Sequence, residues 1–434
     1  MNEMAHDVLA GRIGPVLRDG ATIGDLVDLE RREVAMRVLS DPEIHRLEMQ
    51  QIFGRAWMGI AHIGEIPNSG DFVLRHMGED RVIVTRTPEG EIAVLLNVCS
   101  HRGFEVCQAD QGNATSFKCP YHGWAFDTCG KLLGAPLDKE FYGDWDKSQY
   151  GLRRARVEVR DGIIYATFDT SDATLDDWLG PAGWYLDLCG NDKRVPLGPP
   201  TRFYVNANWK TFMDTAAGDD YHPVTLHRGV AEMGLVSLPG SPGNRSTLAS
   251  MNNVLATNDQ GNNTLAFAEG FPHIKSFDVN SEDFLAFRNR VFVTSVFPQT
   301  VVWGLIAKTL PNGTSYTTGT LTQIVPNGPD SYIFSTQYLI DRDAPEEVFE
   351  LERAQTAGNI IALDDFEANA SQQRCSRGGV GQQQPLRYFA QGERLKRKDW
   401  PGPGAVFAAP LKDDGQWYFW RRWFQLMTDH PRQA

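Results

Sequence analysis

Two short segments of the sequence place a cysteine near a histidine at spacings that suit a metal site. Cys99 and His101 are two residues apart, Cys119 and His122 are three apart, and residues 102–118 separate the pairs. Two thiolates and two imidazoles are ligands that borderline-soft metals bind. Zinc sites favour loops whose ligands are of one kind, whereas mixed loops suit a [2Fe–2S] cluster with both cysteines on one iron and both histidines on the other. The pattern predicts such a cluster, with a structural zinc site as the alternative.

A second set of possible ligands lies further along the chain. His222 and His227 are five residues apart, which on a regular helix separates them by about 140° and keeps them from one ion. We therefore expect the helix predicted over 206–228 to be distorted or interrupted, and Pro223, which lacks a backbone N–H, marks a suitable position. Two such histidines could equally be packed in a core. A third ligand nearby would favour a metal site over core packing.

The third ligand could come from a pair of aspartates. Asp364 and Asp365 lie among apolar residues of a helix predicted over 344–375, where carboxylates usually occupy the solvated face. Two histidines and one carboxylate form the facial triad of non-haem Fe(II) oxygenases, which leaves open positions for O2. The sequence therefore holds the donors for a mononuclear iron as well as those for a cluster.

The Cys/His segments resemble the two ligand loops of the Rieske domain in aromatic-ring-hydroxylating oxygenases. The resemblance is carried by Cys99-Ser100-His101-Arg102-Gly103 and Cys119-Pro120-Tyr121-His122-Gly123-Trp124. Respiratory Rieske proteins usually have a disulfide between these loops, at positions held here by Phe104 and Tyr121. The resemblance therefore implies the oxygenase branch and a reduction potential near the low end of the Rieske range, about −150 mV. The turn Gly134-Ala135-Pro136 resembles a proline loop that covers the cluster.

The segment 208–227 and the later aspartate pair resemble the catalytic domain of the same family. The resemblance implies that His222, His227 and Asp365 bind the mononuclear iron, with Asp364 as the second choice for the carboxylate. The implied cofactors are thus a Rieske [2Fe–2S] cluster and a mononuclear Fe(II).

Asp219, three residues before His222, has two readings. On a helical turn the two residues face the same way, so Asp219 can hydrogen-bond to His222 or cap a helix. The resemblance implies that Asp219 orients His222 and bridges to His122 of the partner subunit. The family often has Glu-Asn where this chain has Asp214-Thr215, which leaves the role of that Asn open here.

The resemblance covers roughly residues 35–430 and implies the large, catalytic subunit of a Rieske non-haem iron oxygenase. Such an enzyme cis-dihydroxylates the ring of a mono- or polycyclic aromatic hydrocarbon or an aromatic acid. It uses O2 and NAD(P)H-derived electrons that a separate ferredoxin and reductase deliver. The sequence has no G-x-G-x-x-G or flavin-binding module, which agrees with external delivery. The resemblance also implies a small β subunit in an α3β3 hexamer.

Two other functions remain open on the sequence. A Rieske monooxygenase or demethylase would have the same metals and a different product. A non-catalytic electron carrier or zinc-stabilised binding protein would have no use for His222, His227 and Asp365, so an iron count would distinguish it. The sequence does not determine the substrate, although we expect the loop-rich segment 229–285 and the helix around Ile361 to line its pocket.

The elements around these residues divide the chain into three expected parts. Residues 23–57 read as helical, and the segment 1–57 is expected to pack on the catalytic domain. Short apolar runs between turns predict a small all-β Rieske domain over 58–168. For 169–434 the resemblance implies a catalytic domain of antiparallel sheet wrapped by helices, of helix-grip type, and turn signals predict a four-strand meander over 290–340. The expected fold class is therefore α+β.

Composition limits the classes of function. The 434 residues carry 42 Lys+Arg against 55 Asp+Glu, a formal charge of −13, and such an acidic surface repels nucleic-acid phosphate and anionic lipid. No stretch approaches the ~18 apolar residues of a membrane helix, and the beginning of the sequence lacks the features of a signal peptide. Six cysteines are too few for a disulfide scaffold, which favours a reducing compartment. We therefore expect a cytoplasmic protein without nucleic-acid or membrane partners.

Overall fold

The computed structural model describes most of the chain. The described residues are 13–219, 222, 225–228, 254–266, 292–309, 315–356, 360–390, 402–408 and 413–429. The α-helices within them are Pro42–Glu48, Asp138–Tyr142, Leu175–Leu179, Ala182–Asp187, Trp209–Ala216, Glu346–Thr356, Ile360–Ser376 and Asp414–Thr428. Among these described helices, none has the length and hydropathy needed to cross a bilayer.

Three small antiparallel sheets lie in the first half of the chain. The four-stranded sheet has the order Ile92–Leu96, Asp80–Arg86, Asp71–Met77 and Gln111–Asn113. One three-stranded sheet has the order Leu132–Gly134, Ala125–Asp127 and Ser116–Lys118. The other has the order Arg156–Arg160, Ile163–Thr167 and Met58–His62. The first Cys/His segment follows the strand Ile92–Leu96, and the second is the turn of the hairpin formed by Ser116–Lys118 and Ala125–Asp127.

Strands between residues 194 and 408 form one large antiparallel sheet. Its strands have the order Arg194–Pro196, Tyr332–Asp341, Ser315–Pro326, Thr300–Thr309, Phe292–Val296, Asn263–Ala266, Val254–Thr257 and Ala405–Ala408, and Thr201–Val205 also pairs with Tyr332–Asp341. Four of these strands are consecutive in the sequence and adjacent in the sheet, as the meander predicted over 290–340 requires. The helix Trp209–Ala216 contacts this sheet and the helices Ile360–Ser376 and Asp414–Thr428. The sheet is therefore wrapped by helices, as expected.

The helical reading of residues 23–57 is partly wrong. The helix Pro42–Glu48 forms where the capping signal predicted it, because Asp41 accepts hydrogen bonds from the next backbone N–H groups. Before it, however, the strands Val27–Asp28 and Glu33–Ala35 pair with each other, and Glu33–Ala35 also pairs with Pro385–Arg387. The apolar residues of this segment therefore face a core from a small sheet whose third strand lies about 350 residues further along the chain.

Two other segments also differ from the sequence reading. The helix predicted over 344–375 is described as two helices, Glu346–Thr356 and Ile360–Ser376, with 357–359 outside the described residues. Within the segment predicted to be loop-rich, Val254–Thr257 and Asn263–Ala266 form a hairpin, so that part of the prediction is wrong. The remainder of 229–285 lies outside the described residues.

A buried ion pair joins three distant parts of the fold. Lys210 Nζ lies 2.7 Å from Glu48 Oε1, and both side chains are 0% exposed. The ring N–H groups of Trp209 and Trp423 donate to the same carboxylate at 3.0 and 2.7 Å. Because a buried charge is costly unless it is paired and hydrogen-bonded, these contacts fix the start of the helix Trp209–Ala216 against its neighbours. This helix leads directly to the candidate ligands.

Candidate metal centres

The two Cys/His loops have the same backbone design. In each, the cysteine N–H donates to the carbonyl five residues ahead and the glycine N–H four residues ahead donates back to the cysteine carbonyl, at 2.8 or 2.9 Å. These glycines, Gly103 and Gly123, have φ of +71° and +74°, a conformation that other residues adopt only with strain. Each loop is therefore a closed turn that holds its cysteine and histidine in a fixed relation.

The side chains of the loops converge as a cluster requires. The thiols of Cys99 and Cys119 are buried, and the rings of His101 and His122 lie 4.7 Å apart at an angle of 73°. Burial, followed by the nearby Cys119, raises the pKa of the Cys99 thiol. Among the described residues, the buried Nδ1 of His101 has no hydrogen-bond partner. Because buried polar atoms are normally paired, a metal ion bound at this nitrogen would satisfy it. The residues present therefore fit a cluster held by two cysteines and two histidines.

Aromatic and proline side chains surround these loops. The indole of Trp124 stacks on His101 with ring centres 4.8 Å apart and planes within 4°. A Cβ added to Gly123 would stand 2.7 Å from Pro136 Cγ, so Pro136 lies directly on the second loop, where the covering turn was expected. The rings of Phe104 and Tyr121 are 5.5 Å apart at the positions where respiratory proteins have a disulfide.

The helix that leads to the second set of ligands ends earlier than predicted. It stops at Ala216, and Gly218 follows with φ +116°, so the helix predicted over 206–228 is interrupted well before its expected end. A Cβ at Gly218 would stand 2.7 Å from Leu255 Cδ1, which explains why glycine occupies the turn. Pro223, the position predicted for the distortion, lies outside the described residues.

His222, His227 and Asp365 converge on one point. The Nε2 atoms of both histidines lie 3.4 Å from Asp365 Oδ1, and one ligand atom from each of the three residues lies within 4.8 Å of the others. The histidine rings are 5.0 Å apart at 75°. Among the described residues, the buried Asp365 Oδ1 has no regular hydrogen bond, so a cation would satisfy an oxygen that the protein leaves unsatisfied. The three donors fit a facial site for Fe(II).

The carboxylates of this site favour a positive charge between them. Burial lowers the pKa of His222, but Asp219 and Asp365 outweigh burial and raise it to about 9. Burial also raises the pKa of Asp365, whereas the adjacent rings of His222 and His227 lower it overall. A divalent cation at this site would compete with a proton for His222, because metal ligands must be deprotonated.

Asp219 makes two contacts with His222. Its Oδ1 accepts the backbone N–H of His222 at 3.2 Å, which is a capping contact. Its Oδ2 lies 3.5 Å from His222 Nδ1, on the side of the ring opposite the convergence point. Asp364 is placed differently from Asp365, because its Oδ2 lies 3.4 Å from His227 Nδ1.

One polar row of the helix Ile360–Ser376 was missed by the sequence analysis. Asp365, Asn369 and Gln373, spaced four residues apart, are all buried. Asn369 donates to the hydroxyl of Tyr332 at 2.9 Å, and Gln373 accepts the backbone N–H of Asn208 at 2.8 Å. This row holds Asp365 in register with the start of the helix Trp209–Ala216. A polar residue at every fourth position of an otherwise mixed helix was the signal that could have identified it.

The Asp214-Thr215 pair is used for packing. Asp214 accepts the ring N–H of Trp420 at 2.8 Å, and burial raises its pKa to about 7. The hydroxyl of Thr215 donates to the Thr211 carbonyl of its own helix at 3.2 Å. The hydroxyl of Thr215 is therefore used within its own helix, at the position where the family often has Asn.

Two family models match successive parts of the chain. A Rieske [2Fe–2S] domain matches residues 56–149, and the catalytic domain of the ring hydroxylating alpha subunit matches residues 175–398, about half of the chain. The chain belongs to the ring-hydroxylating alpha-subunit family. Membership confirms the predicted resemblance and the α+β fold class, and it implies a Rieske cluster together with a mononuclear iron.

Relatives of this family differ in how much of the chain they match. The N,N-dimethyl phenylurea N-demethylase subunit alpha of Sphingobium sp. (strain YBL2) is 44% identical over 232 residues, which are 51% of this chain and 50% of the relative. The chain thus spans about half the length of its more similar curated relatives. The benzene 1,2-dioxygenase subunit alpha of Pseudomonas putida is 28% identical over 95% of both chains. The solved naphthalene 1,2-dioxygenase from Rhodococcus sp., bound to indole, is 29% identical with a TM-score of 0.79, and the match covers 91% of this chain and 94% of that one.

Proposed function

We propose that this chain is the catalytic subunit of a terminal oxygenase that cis-dihydroxylates an aromatic ring. The reaction consumes one O2, two electrons and two protons, and both oxygen atoms enter the diol. The observation that carries the proposal is the convergence of His222, His227 and Asp365 in the same chain as a Cys/His loop pair. O2 activation at a mononuclear iron needs electrons, and a one-electron cluster in the same protein is suited to supply them.

The residues of the second site would hold the iron and leave room for its reactants. His222 and His227 would bind it through Nε2, and Asp365 would bind it through a carboxylate oxygen and partly neutralise its charge. Iron bound in this way supplies open coordination positions for O2. Asp219 holds the His222 ring from its Nδ1 side.

The cluster would be held by four side chains. Cys99 and Cys119 would ligate one iron and His101 and His122 the other. Burial, followed by the nearby His122 and Arg102, lowers the pKa of His101, which favours the neutral ring that a metal ligand requires.

We extend the proposal to the organisation of the enzyme. Residues 1–57 would pack on the catalytic domain, 58–168 would form the Rieske domain, and 169–434 the catalytic domain. A ferredoxin and a reductase would deliver electrons, and a small β subunit would complete an α3β3 hexamer. In that assembly Asp219 would accept hydrogen bonds from His222 of its own chain and from His122 of the partner subunit, coupling the two centres. The proposed location is the cytoplasm.

One comparison favours a second candidate, which is oxidative N-demethylation. The relative that is 44% identical over half of the chain is named as an N-demethylase subunit. That reaction also consumes O2, two electrons and two protons, but one oxygen atom becomes water and the methyl group leaves as formaldehyde. The same metal centres serve both outcomes, so only the products distinguish them.

The test is an assay of the purified protein with ferredoxin, reductase and NAD(P)H. Aromatic hydrocarbons, aromatic acids and N-methylated phenylureas would be supplied separately under 18O2. A cis-diol carrying two labelled oxygens supports dihydroxylation. Formaldehyde formed in equal amount to a demethylated product, without a diol from any ring, would contradict it and establish the second candidate.

A further inference from the structure

His227 lies between two consecutive carboxylates of one helix. Its Nδ1 is 3.4 Å from Asp364 Oδ2, in hydrogen-bonding geometry, and its Nε2 is 3.4 Å from Asp365 Oδ1. The two nitrogens of an imidazole point in different directions, so each carboxylate faces one of them. His227 is almost completely buried, so its ring is enclosed by the protein with one carboxylate near each nitrogen.

The positions of the two aspartates exclude a shared role. Consecutive residues of a helix diverge by about 100°, so one cannot replace the other at the same point in space. Asp365 is buried and faces both histidines, whereas the Asp364 side chain is 36% exposed and faces His227 at Nδ1. The carboxylate of Asp364 can thus remain solvated on one side while it accepts a hydrogen bond on the other.

We propose that Asp364 is a positioning residue, which accepts the Nδ1–H of His227 and thereby directs Nε2 of that ring to the mononuclear metal. The inference rests on the proposed function, because it takes His227 as a metal ligand. A histidine that donates its second N–H to a carboxylate has a fixed tautomer and a fixed ring plane, and it is a more basic ligand.

A carboxylate also lies behind the other histidine, but without hydrogen-bonding geometry. Asp219 Oδ2 lies 3.5 Å from His222 Nδ1, and His222 Nε2 faces Asp365. Each histidine therefore has a carboxylate of its own behind it, and both face one shared carboxylate. The sequence left Asp364 and Asp365 as alternatives for one metal ligand. In this geometry Asp365 would be the ligand, and Asp364 would position His227.

The experiment measures binding of Co2+ to the mononuclear site, independently of turnover. The mononuclear metal is removed from the full chain with its cluster kept oxidised, and Co2+ is titrated into the native protein and four variants. Asp364→Ala should bind Co2+ about 10- to 100-fold more weakly, the usual effect of losing such a contact. Asp364→Asn should recover most of this affinity, because its amide oxygen can still accept the Nδ1–H. Glu367→Ala, which removes an exposed carboxylate of the same helix, is the matched control and should bind as the native protein does.

A spectrum separates positioning from a general loss of structure. An oxidised [2Fe–2S] cluster has no electron paramagnetic resonance, so the signal of bound high-spin Co2+ reports its ligand geometry directly. At saturation, Asp364→Ala should show a shifted signal, and Asp364→Asn should show a signal close to that of the native protein. An unchanged affinity and signal in Asp364→Ala would overturn the proposal, as would equal weakening by Ala and Asn, which would indicate charge alone.

Asp365→Ala, the fourth variant, distinguishes failure of this inference from failure of the proposed function. It should abolish binding at the site. If it does so while Asp364→Ala binds normally, the positioning role is wrong and the ligand set stands. If Asp365→Ala binds Co2+ as the native protein does, the proposed ligand set is wrong, and with it the positioning role.

Discussion

Glu48→Gln tests how the fold holds the helix that leads to the metal ligands. The Glu48 and Lys210 side chains are both 0% exposed and 2.7 Å apart, and two tryptophan N–H groups donate to the same carboxylate. Glutamine keeps the shape of the side chain but leaves the ammonium group buried without its counter-charge. Breaking a buried pair in this way costs about 3–5 kcal/mol, a large share of the ~5–15 kcal/mol that stabilises a typical domain.

Urea unfolding followed by tryptophan fluorescence would measure this loss. Glu89→Gln removes a charge from an exposed turn and is the matched control, with an expected change within about 0.5 kcal/mol.

Burial lowers the pKa of Lys210, and Glu48 partly restores it. Without Glu48 the pKa of Lys210 in the folded state falls further below its unfolded value, so stability of the variant should rise with pH between these two values. A loss below about 1 kcal/mol at every pH would refute the reasoning.

Further predictions concern the metals and the packing of the turn that precedes His222. The native protein, purified without air, should be brown and contain about two inorganic sulfides per chain; a colourless protein fully loaded with zinc would contradict the cluster. Asp365→Ala should lower the iron content from about three to about two per chain, because it removes one ligand and its charge; retention of all the iron, with loss in Asp364→Ala instead, would reverse the assignment. Asp219→Asn should retain both centres and accept an electron at the cluster, yet leave the cluster reduced after substrate and O2 are added; normal reoxidation would reduce Asp219 to its capping role. Gly415→Ala would force a Cβ against the carbonyl oxygen of Ala217, so it should cost about 1–3 kcal/mol and lower the occupancy of the mononuclear metal; unchanged values of both would show that this close contact is dispensable.

The sequence predicts the parts of the molecule that depend on short spacings. The Cys/His loops need only a few residues and a glycine at the correct position, and Gly103 and Gly123 supply the positive φ that closes them. The meander over 290–340 is likewise marked by turns between apolar runs. In both cases the information is local, so the pattern is sufficient.

Features that depend on distant contacts were not predictable in this way. The helix before His222 ends at Ala216, and glycine follows at 218 because Leu255 occupies the space that a side chain would need. The strand Glu33–Ala35 forms because Pro385–Arg387 pairs with it, although its own apolar pattern suggested a helix. Lys210 and Glu48 are 162 residues apart, and neither carries a local signal of burial. The choice of Asp365 over Asp364 as the carboxylate ligand was predicted from the family resemblance, because the spacing alone did not distinguish the two aspartates.

The central claim is that the two metal centres of this protein cooperate in one oxygenation. A single-turnover experiment tests it most directly: the native protein is reduced, freed of excess reductant, and mixed with an aromatic substrate and 18O2. We expect the cluster to be reoxidised as a cis-diol carrying two labelled oxygens appears, without any added ferredoxin or reductase, because the cluster would supply one of the two electrons and the mononuclear Fe(II) the other. A cluster that stays reduced, or is reoxidised without any oxygenated product, would contradict it.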